Sequence, residues 1–374
     1  MSEPELLLHG ARLTASQVVE TIDHIVRTNL TAEARGDRRT PLCIWGLHGV
    51  GKTALVQDYC QERGWHFAYC APAQFEEMGD LHGLPKLEGE EGAEATVFAP
   101  PSWVPTEEGP GILLLDDVNR ADDRILRGLM QLLQNYEMFS WKLPSKWQIV
   151  CTANPEGGDY SVTPMDDAML TRMLHVSMVF DVKVWAEWAS RANVDPRGIS
   201  FALTYPESIV GRRTTPRSLT QFLEQIRPIE DLKGNAGLVQ TLAHSSLDET
   251  TVASFMSFVV DGLEQLIDPE TILEAEDWES VAARLSELAV GDEGSKRVDR
   301  LSTICTRLFL HVTHPDYALS PLHGENVVRF LLHDALPNDL RLSLHRDLVT
   351  KGSDGIKAAM RKSKKLADLI LAGM

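Results

Sequence analysis

Positive charge is what this sequence is shortest of: 36 Lys and Arg stand against 54 Asp and Glu, for a formal net charge of −18. Affinity for nucleic acid rests largely on cations that neutralise phosphates, so a phosphate polymer is a poor default partner. Long apolar runs are also missing. None approaches the roughly 18 residues of a membrane span, and no membrane partner is expected. Cysteine is scarce: Cys43, Cys60, Cys70, Cys151 and Cys305 are odd in number and form no C-x-x-C, which fits reduced thiols packed in apolar segments. The opening Met1-Ser-Glu-Pro-Glu-Leu6 has no basic leader before its short apolar stretch, so no signal peptide is read and a cytoplasmic location is expected.

What is present is ordinary for a globular chain. Of 374 residues, 43% are hydrophobic and 24% charged, enough for a large core and two or three domains. Charge is uneven: Glu88 to Glu94 is acidic, whereas Lys357, Arg361, Lys362, Lys364 and Lys365 make the C-terminus basic. Both read best as solvated surface.

The most informative stretch is Trp45-Gly-Leu-His-Gly-Val-Gly-Lys-Thr53, which contains G-x-x-x-x-G-K-T. Glycines let successive N–H groups turn toward phosphate oxygens, Lys52 offers a point charge to the β/γ-phosphates, and Thr53 offers a hydroxyl to magnesium. The flanks fit the motif. Leu42 to Trp45 reads as a short buried strand, and Ala54, Leu55, Val56, Tyr59 and Cys60 recur at helical spacing until Gly64. Phosphates would then lie at a helix N-terminus, where unpaired N–H groups favour anions. The expected ligand is a nucleoside triphosphate with Mg2+, held by Gly46, Leu47, His48, Gly49, Val50, Gly51, Lys52, Thr53 and Ala54.

Four further segments extend this reading. Ile112-Leu-Leu-Leu-Asp116-Asp117 is an apolar strand ending in two acids; Asp116 would hold Mg2+ together with Thr53, and Asp117 would orient or deprotonate the attacking water. Trp147 to Asn154 is another buried strand, whose polar end, Asn154, can hydrogen-bond a γ-phosphate and the water. Pro164 to Arg172 reads as a short helix ending in arginine, followed by a strand from Leu174 to Phe180. Arg172 there can reach a neighbour's γ-phosphate, or serve as a cation at its own helix C-terminus. Thr214-Thr-Pro-Arg217 starts a helix, with Thr215 as cap and Pro216 in the first turn. A cation is disfavoured in a first turn, so Arg217 hints at an anionic partner; Arg212 and Arg213 can do the same.

The coarse pattern is an N-terminal helix (Ser16 to Leu30), then strands near Leu42, Trp65, Ile112, Gln148 and Leu174 with helices between. It predicts a three-layer α/β domain with five parallel strands, their continuous apolar runs buried on both faces. Helical pattern follows: 1–181 is the expected α/β domain, 182–271 a helical lid beginning with Val182 to Arg191, and 272–374 a helical region of unread role. His311, His314 and His323 lack Cys or a compact acidic partner, so a metal is not expected there. The amphipathic stretch Ile356 to Leu371 is expected to pack on the body or dock to a partner.

Together, in this order, these segments resemble an AAA+ P-loop NTPase, and specifically its MoxR branch. Asp116-Asp-Val-Asn-Arg-Ala121 resembles that branch's second-strand motif, and Asp80-Leu-His-Gly83 its D-L-x-G element before an inserted segment. Ala99-Pro-Pro-Ser-Trp-Val-Pro105 is similar to relatives encoded beside von Willebrand A proteins. The resemblance covers about residues 15 to 270. It implies that Lys52 and Thr53 are the Walker A pair, Asp116 and Asp117 the Walker B acids, Asn154 sensor 1, Arg172 the arginine finger and Arg217 sensor 2. It also implies ATP as the nucleotide, a homo-oligomeric ring, typically a hexamer, and a chaperone-like remodelling or maturation role with a von Willebrand A adaptor. Most of that family carries Glu where Asp117 stands; losing one methylene draws the carboxylate back by roughly 1.5 Å, so slow turnover is expected. Two rivals stand beside the remodelling ATPase: a nucleotide-gated scaffold or switch with little hydrolysis, favoured by the short acid, and a DNA-directed loader, disfavoured by the acidic balance.

Overall fold

Alternation along buried strands decides how the first half of the chain packs. The computed structural model describes residues 7–90, 94–157, 161–260, 266–291, 297–314 and 317–372. Met1–Leu6, and Glu91, Gly92 and Ala93 of the acidic segment, lie outside them. The chain divides into two compact units, residues 1–181 and 182–374.

In the first unit the strands are β1 (Ala11–Leu13), β2 (Leu42–Trp45), β3 (His66–Cys70), β4 (Leu84–Glu88), β5 (Ala95–Ala99), β6 (Gly111–Leu115), β7 (Glu137–Met138), β8 (Trp141–Lys142), β9 (Trp147–Ala153) and β10 (Leu174–Met178). The helices are α1 (Ala15–Arg35), α2 (Lys52–Arg63), α3 (Met78–His82), α4 (Asp123–Asn135) and α5 (Asp167–Leu170). Six strands form one parallel sheet in the order β1-β10-β2-β9-β6-β3. Cys43, Trp45, Leu113, Leu115, Ile149 and Cys151 face α4 through Ile125, Leu129, Leu132 and Leu133. Their neighbours Leu42, Ile44, Ile112, Leu114 and Val150 face α1 and α2 through Val18, Ile22, Val56 and Tyr59. Burial on both faces is why these strands read as unbroken apolar runs.

The expectation of five strands is corrected to six. The sixth, β1, is a three-residue edge strand with Arg12 at its centre, pairing Ala11 with Val176 and Leu13 with Met178. A strand so short and so exposed carries no apolar alternation for a sequence reading to find. Helix α1 also runs further than Ser16 to Leu30, to Gly36, whose left-handed backbone (φ 77°) ends it by capping onto Ala32 and Glu33 carbonyls. Two antiparallel pairs lie outside the sheet: β4 with β5 in the inserted segment after α3, and β7 with β8 between α4 and β9.

Among its described residues the second unit contains helices and no strand. They are α6 (Val182–Arg191), α7 (Pro196–Thr204), α8 (Pro216–Ile226), α9 (Ala236–Ser246), α10 (Glu249–Val260), α11 (Pro269–Leu273), α12 (Trp278–Leu288), α13 (Val298–Val312), α14 (Pro321–Leu332), α15 (Asn338–Lys351), α16 (Asp354–Lys362) and α17 (Lys364–Ala372). The terminal amphipathic stretch is two helices broken at Ser363, and it packs on its own unit: Ile356, Met360 and Leu366 are buried, against α14 among others. No described helix is long and apolar enough to cross a membrane.

Candidate functional site

Parallel register brings the carboxyl ends of β2, β6 and β9 to one edge of the sheet, where ligands of open α/β sheets bind. Trp45 pairs with Ala153 and Leu115 with Cys151, so the glycine loop, the two acids and Asn154 follow their strands side by side. The loop turns as its glycines allow. Gly51 has φ 100°, strained for any other residue, and a Cβ on Gly46 would meet the Met178 carbonyl oxygen at 2.8 Å. Helix α2 starts at Lys52, directly after the loop.

Lys52 is 6% exposed. Its ammonium donates to the carbonyl oxygens of Gly46 (2.7 Å) and Leu47 (3.2 Å) and to Asn154 Oδ1 (3.3 Å). Lysine has only donors to give, so the oxygen of the Asn154 amide must face it. The Asn154 amide nitrogen then points elsewhere, and it is buried with no hydrogen-bond partner. A buried unpaired donor is costly, and such a group beside a lysine is suited to receive an anion.

The metal-side groups also converge. Thr53 Oγ1 and Thr152 Oγ1 each donate to Asp116 Oδ1 at 2.7 Å, and Tyr69 Oη donates to Asp116 Oδ2 at 3.2 Å. Burial and the neighbouring Asp116 push the Tyr69 hydroxyl's pKa up, so it stays a donor. Thr53 and Asp116 supply hard oxygens within one hydrogen bond of each other, the donor chemistry that Mg2+ prefers.

Asp117 sits in the left-handed region (φ 49°, ψ 44°), uncommon for a residue with a side chain. Its N–H donates to Thr152 Oγ1 at 2.8 Å, and its carboxylate pairs with Arg120 Nε at 3.2 Å. The acid read as base for water thus carries an arginine partner in its own chain.

Thr152 and Asn119 are site residues the sequence reading did not single out. Both are fully buried. Thr152 spans from β9 to both acids after β6. Asn119 spans back, donating through Nδ2 to the Asn154 carbonyl (2.7 Å) and accepting the Asn154 N–H on Oδ1 (3.0 Å). Thr152 is the one hydroxyl in a mostly apolar strand, but only the pairing of β9 with β6 puts it level with Asp116. Asn119 lay inside the quoted Asp116 to Ala121 motif, but its partner is 35 residues away in sequence.

Arg172 follows α5. Its guanidinium donates through Nη1 to the Ala168 carbonyl and through Nε to Gln134 Oε1 (3.2 Å), so here it caps its own helix and ties α5 to α4. Close by, the Trp45 indole N–H donates to His175 Nδ1 (3.0 Å), and His175 Nε2 lies 2.7 Å from the Leu170 carbonyl at the end of α5. Both bonds are satisfied only by neutral imidazole protonated on Nε2, and burial lowers the His175 pKa.

Arg217 belongs to the second unit. It is exposed in the first turn of α8, beside the Thr215 cap, which accepts the Ser218 N–H at 3.2 Å. Arg213 is spent locally: its guanidinium donates to the His244 and Ser245 carbonyls at the end of α9. Among the described residues no group of three or more His, Cys, Asp or Glu is placed to hold a metal ion. All five cysteines are buried free thiols, and burial pushes Cys60, Cys70 and Cys305 up to about 12, leaving them unreactive.

Residues 41–173, a minority of the chain, match the family model of the AAA domain, dynein-related subfamily. No curated protein matches the chain. Among solved structures, the Thermotoga maritima RuvB Holliday junction branch migration motor is similar at 16% identity over 73% of this chain and 82% of its own, with a TM-score of 0.36. A point variant of that RuvB is similar at 15% identity over 76% and 87%, with a TM-score of 0.38. Likenesses this distant carry nothing about activity or partners. The stretch from β2 to Arg172, with its glycine loop and strand-end acids, matches the AAA domain model and has the P-loop AAA+ fold.

Proposed function

We propose that the chain binds ATP with magnesium at the carboxyl edge of the first unit's sheet and hydrolyses it slowly. The observation that carries this reading is the convergence on Lys52: loop carbonyls, a hydroxyl–carboxylate pair (Thr53, Asp116) and an unspent buried amide donor (Asn154) meet at the start of α2. Magnesium would be held by Thr53 and Asp116 and would supply charge neutralisation at the phosphates. Lys52 exchanges its carbonyl partners for phosphate oxygens. Asn154 Nδ2 donates to the terminal phosphate. Asp117 Oδ accepts a proton from the attacking water, for which its carboxylate must leave Arg120.

We further propose, on the resemblance alone, a MoxR-type remodelling or maturation role in a ring, with a von Willebrand A protein as adaptor, residues 182–271 as lid and Arg217 as a nucleotide sensor. In that assembly Arg172 turns from its Ala168 and Gln134 partners to the neighbouring protomer's phosphate, which a head-to-tail contact makes possible. A second reading, a nucleotide-gated switch that scarcely turns over, is favoured by the short acid at 117 and its ion pair with Arg120. Phosphate release by stringently purified protein tests between them. Slow magnesium-dependent release that vanishes in Lys52→Ala supports the ATPase; the same trace of release in both proteins supports the switch.

A further inference from the structure

Strand β9 leaves the sheet at Ala153, so the peptide groups of Asn154 have no neighbouring strand to bond. Asn119 supplies both missing partners from one side chain, Nδ2 to the carbonyl at 2.7 Å and Oδ1 to the N–H at 3.0 Å. The clamp is itself fixed. Asn119 is fully buried in the 3-10 turn Val118–Arg120, and its own carbonyl accepts the Thr163 N–H at 2.7 Å. Pro155 holds the other side, since a residue before proline is restricted to extended backbone.

Two hydrogen bonds and a proline therefore decide where the Asn154 side chain points. Its oxygen is turned to the Lys52 ammonium, and its buried NH2 has no partner. We propose that Asn119 is a positioning residue: without touching nucleotide, it aims the Asn154 amide at the terminal phosphate and so sets the preference for ATP over ADP. This rests on the nucleotide reading above and adds to it a residue that acts through another. A looser Asn154 would keep the loop, Lys52 and the site of the β-phosphate, all of which ADP also uses. Only the contact made to the third phosphate would suffer.

The test is calorimetry on the full chain with Mg-ATP and with Mg-ADP. Wild type is expected to prefer ATP. Asn119→Ala is expected to bind ADP within about threefold of wild type while its ATP preference drops about tenfold or more, the worth of one hydrogen bond to a charged group. Asn119→Asp keeps the side chain's volume and its acceptor but loses the donor, and should shift preference the same way. Asn154→Ala should match Asn119→Ala, and the double variant should lose no more than either single one. An unchanged ATP-to-ADP ratio in the Asn119 variants, additive losses in the double variant, or equal loss of both nucleotides overturns the assignment. So does failure of both Asn119 variants to give a folded circular dichroism spectrum, which would make the residue architectural. Wild type that binds both nucleotides equally sinks the inference alone; wild type that binds neither sinks the nucleotide reading beneath it.

Discussion

Buried polar side chains do different work in the two units. In the first, Lys52, Asn119, Thr152 and Asn154 gather at one edge of the sheet and bond across strands. In the second, such groups tie helix ends. Arg341, 5% exposed, donates to the Leu331, His333 and Leu336 carbonyls where α14 stops, and Asn326 donates to the Leu273 and Ala275 carbonyls after α11. An unpaired donor alone does not mark a site, because Trp185 Nε1 and Arg300 Nε are unpaired too. What distinguishes Asn154 is company: a lysine, two strand-end acids and a glycine loop aimed at the same place. Burial shared with charges of fixed sign reads as chemistry, and burial shared with helix carbonyls reads as scaffold.

If that contrast is right, changes in the first group should alter function and changes in the second should alter stability. The largest effect is expected at Asp117. Asp117→Asn should lower phosphate release a hundredfold or more while calorimetric Mg-ATP binding persists, and Asp117→Glu should release phosphate faster than wild type by restoring reach. An Asp117→Glu variant no faster than wild type would break the argument about the shortened acid. Next is Arg341→Ala. Leaving three carbonyls unpaired should destabilise the second unit by about 2–4 kcal/mol, read from the denaturant midpoint of its transition. A neutral result would mean those carbonyls find other partners.

Thr152→Val sits between the classes. It removes the hydroxyl that joins β9 to Asp116 and Asp117 at nearly constant volume, so about 1–2 kcal/mol of stability should go together with a rise in the magnesium needed for half-maximal activity. A smaller effect concerns pH. His175 is held neutral in the folded chain, so its folded pKa lies below its unfolded value. The unfolded chain takes up the proton first as pH falls through about 6.5, and stability present at neutral pH declines toward pH 5. His175→Gln should flatten that decline in thermal melts between pH 7 and 5, and an unchanged slope would place the titration elsewhere. Smallest is Lys351→Ala. It breaks a 2.7 Å pair with Glu187 in which the lysine is 56% exposed, and should cost under about 1 kcal/mol.

Legibility in sequence followed the same division. The glycine loop, the acids after Leu115 and Asn154 stood out in the sequence because phosphate and magnesium binding calls for particular residue types at particular spacings, and the fold brings them to one edge of the sheet. Strands β2, β6 and β9 were readable because burial on both faces writes an apolar run. Edge strand β1 was not, since three residues around Arg12 make no pattern and only pairing with β10 defines them. Asn119 and Thr152 were hidden for a related reason: their roles depend on which strands lie side by side, and no local spacing encodes that. Arg172 could be read as a finger or as a helix cation. In the folded chain its guanidinium bonds Ala168 and Gln134, so the first role requires a neighbour to draw it away. In the second unit, helical periodicity gave helices, but polar groups spent on helix ends resemble surface residues until the fold buries them.

Titration of Mg-ATP into the purified full chain, beside Lys52→Ala, tests the central claim most directly. Saturable uptake at one site per chain by wild type, lost in the variant, is the expected result. No heat of binding at millimolar nucleotide, or equal uptake by both proteins, would contradict it.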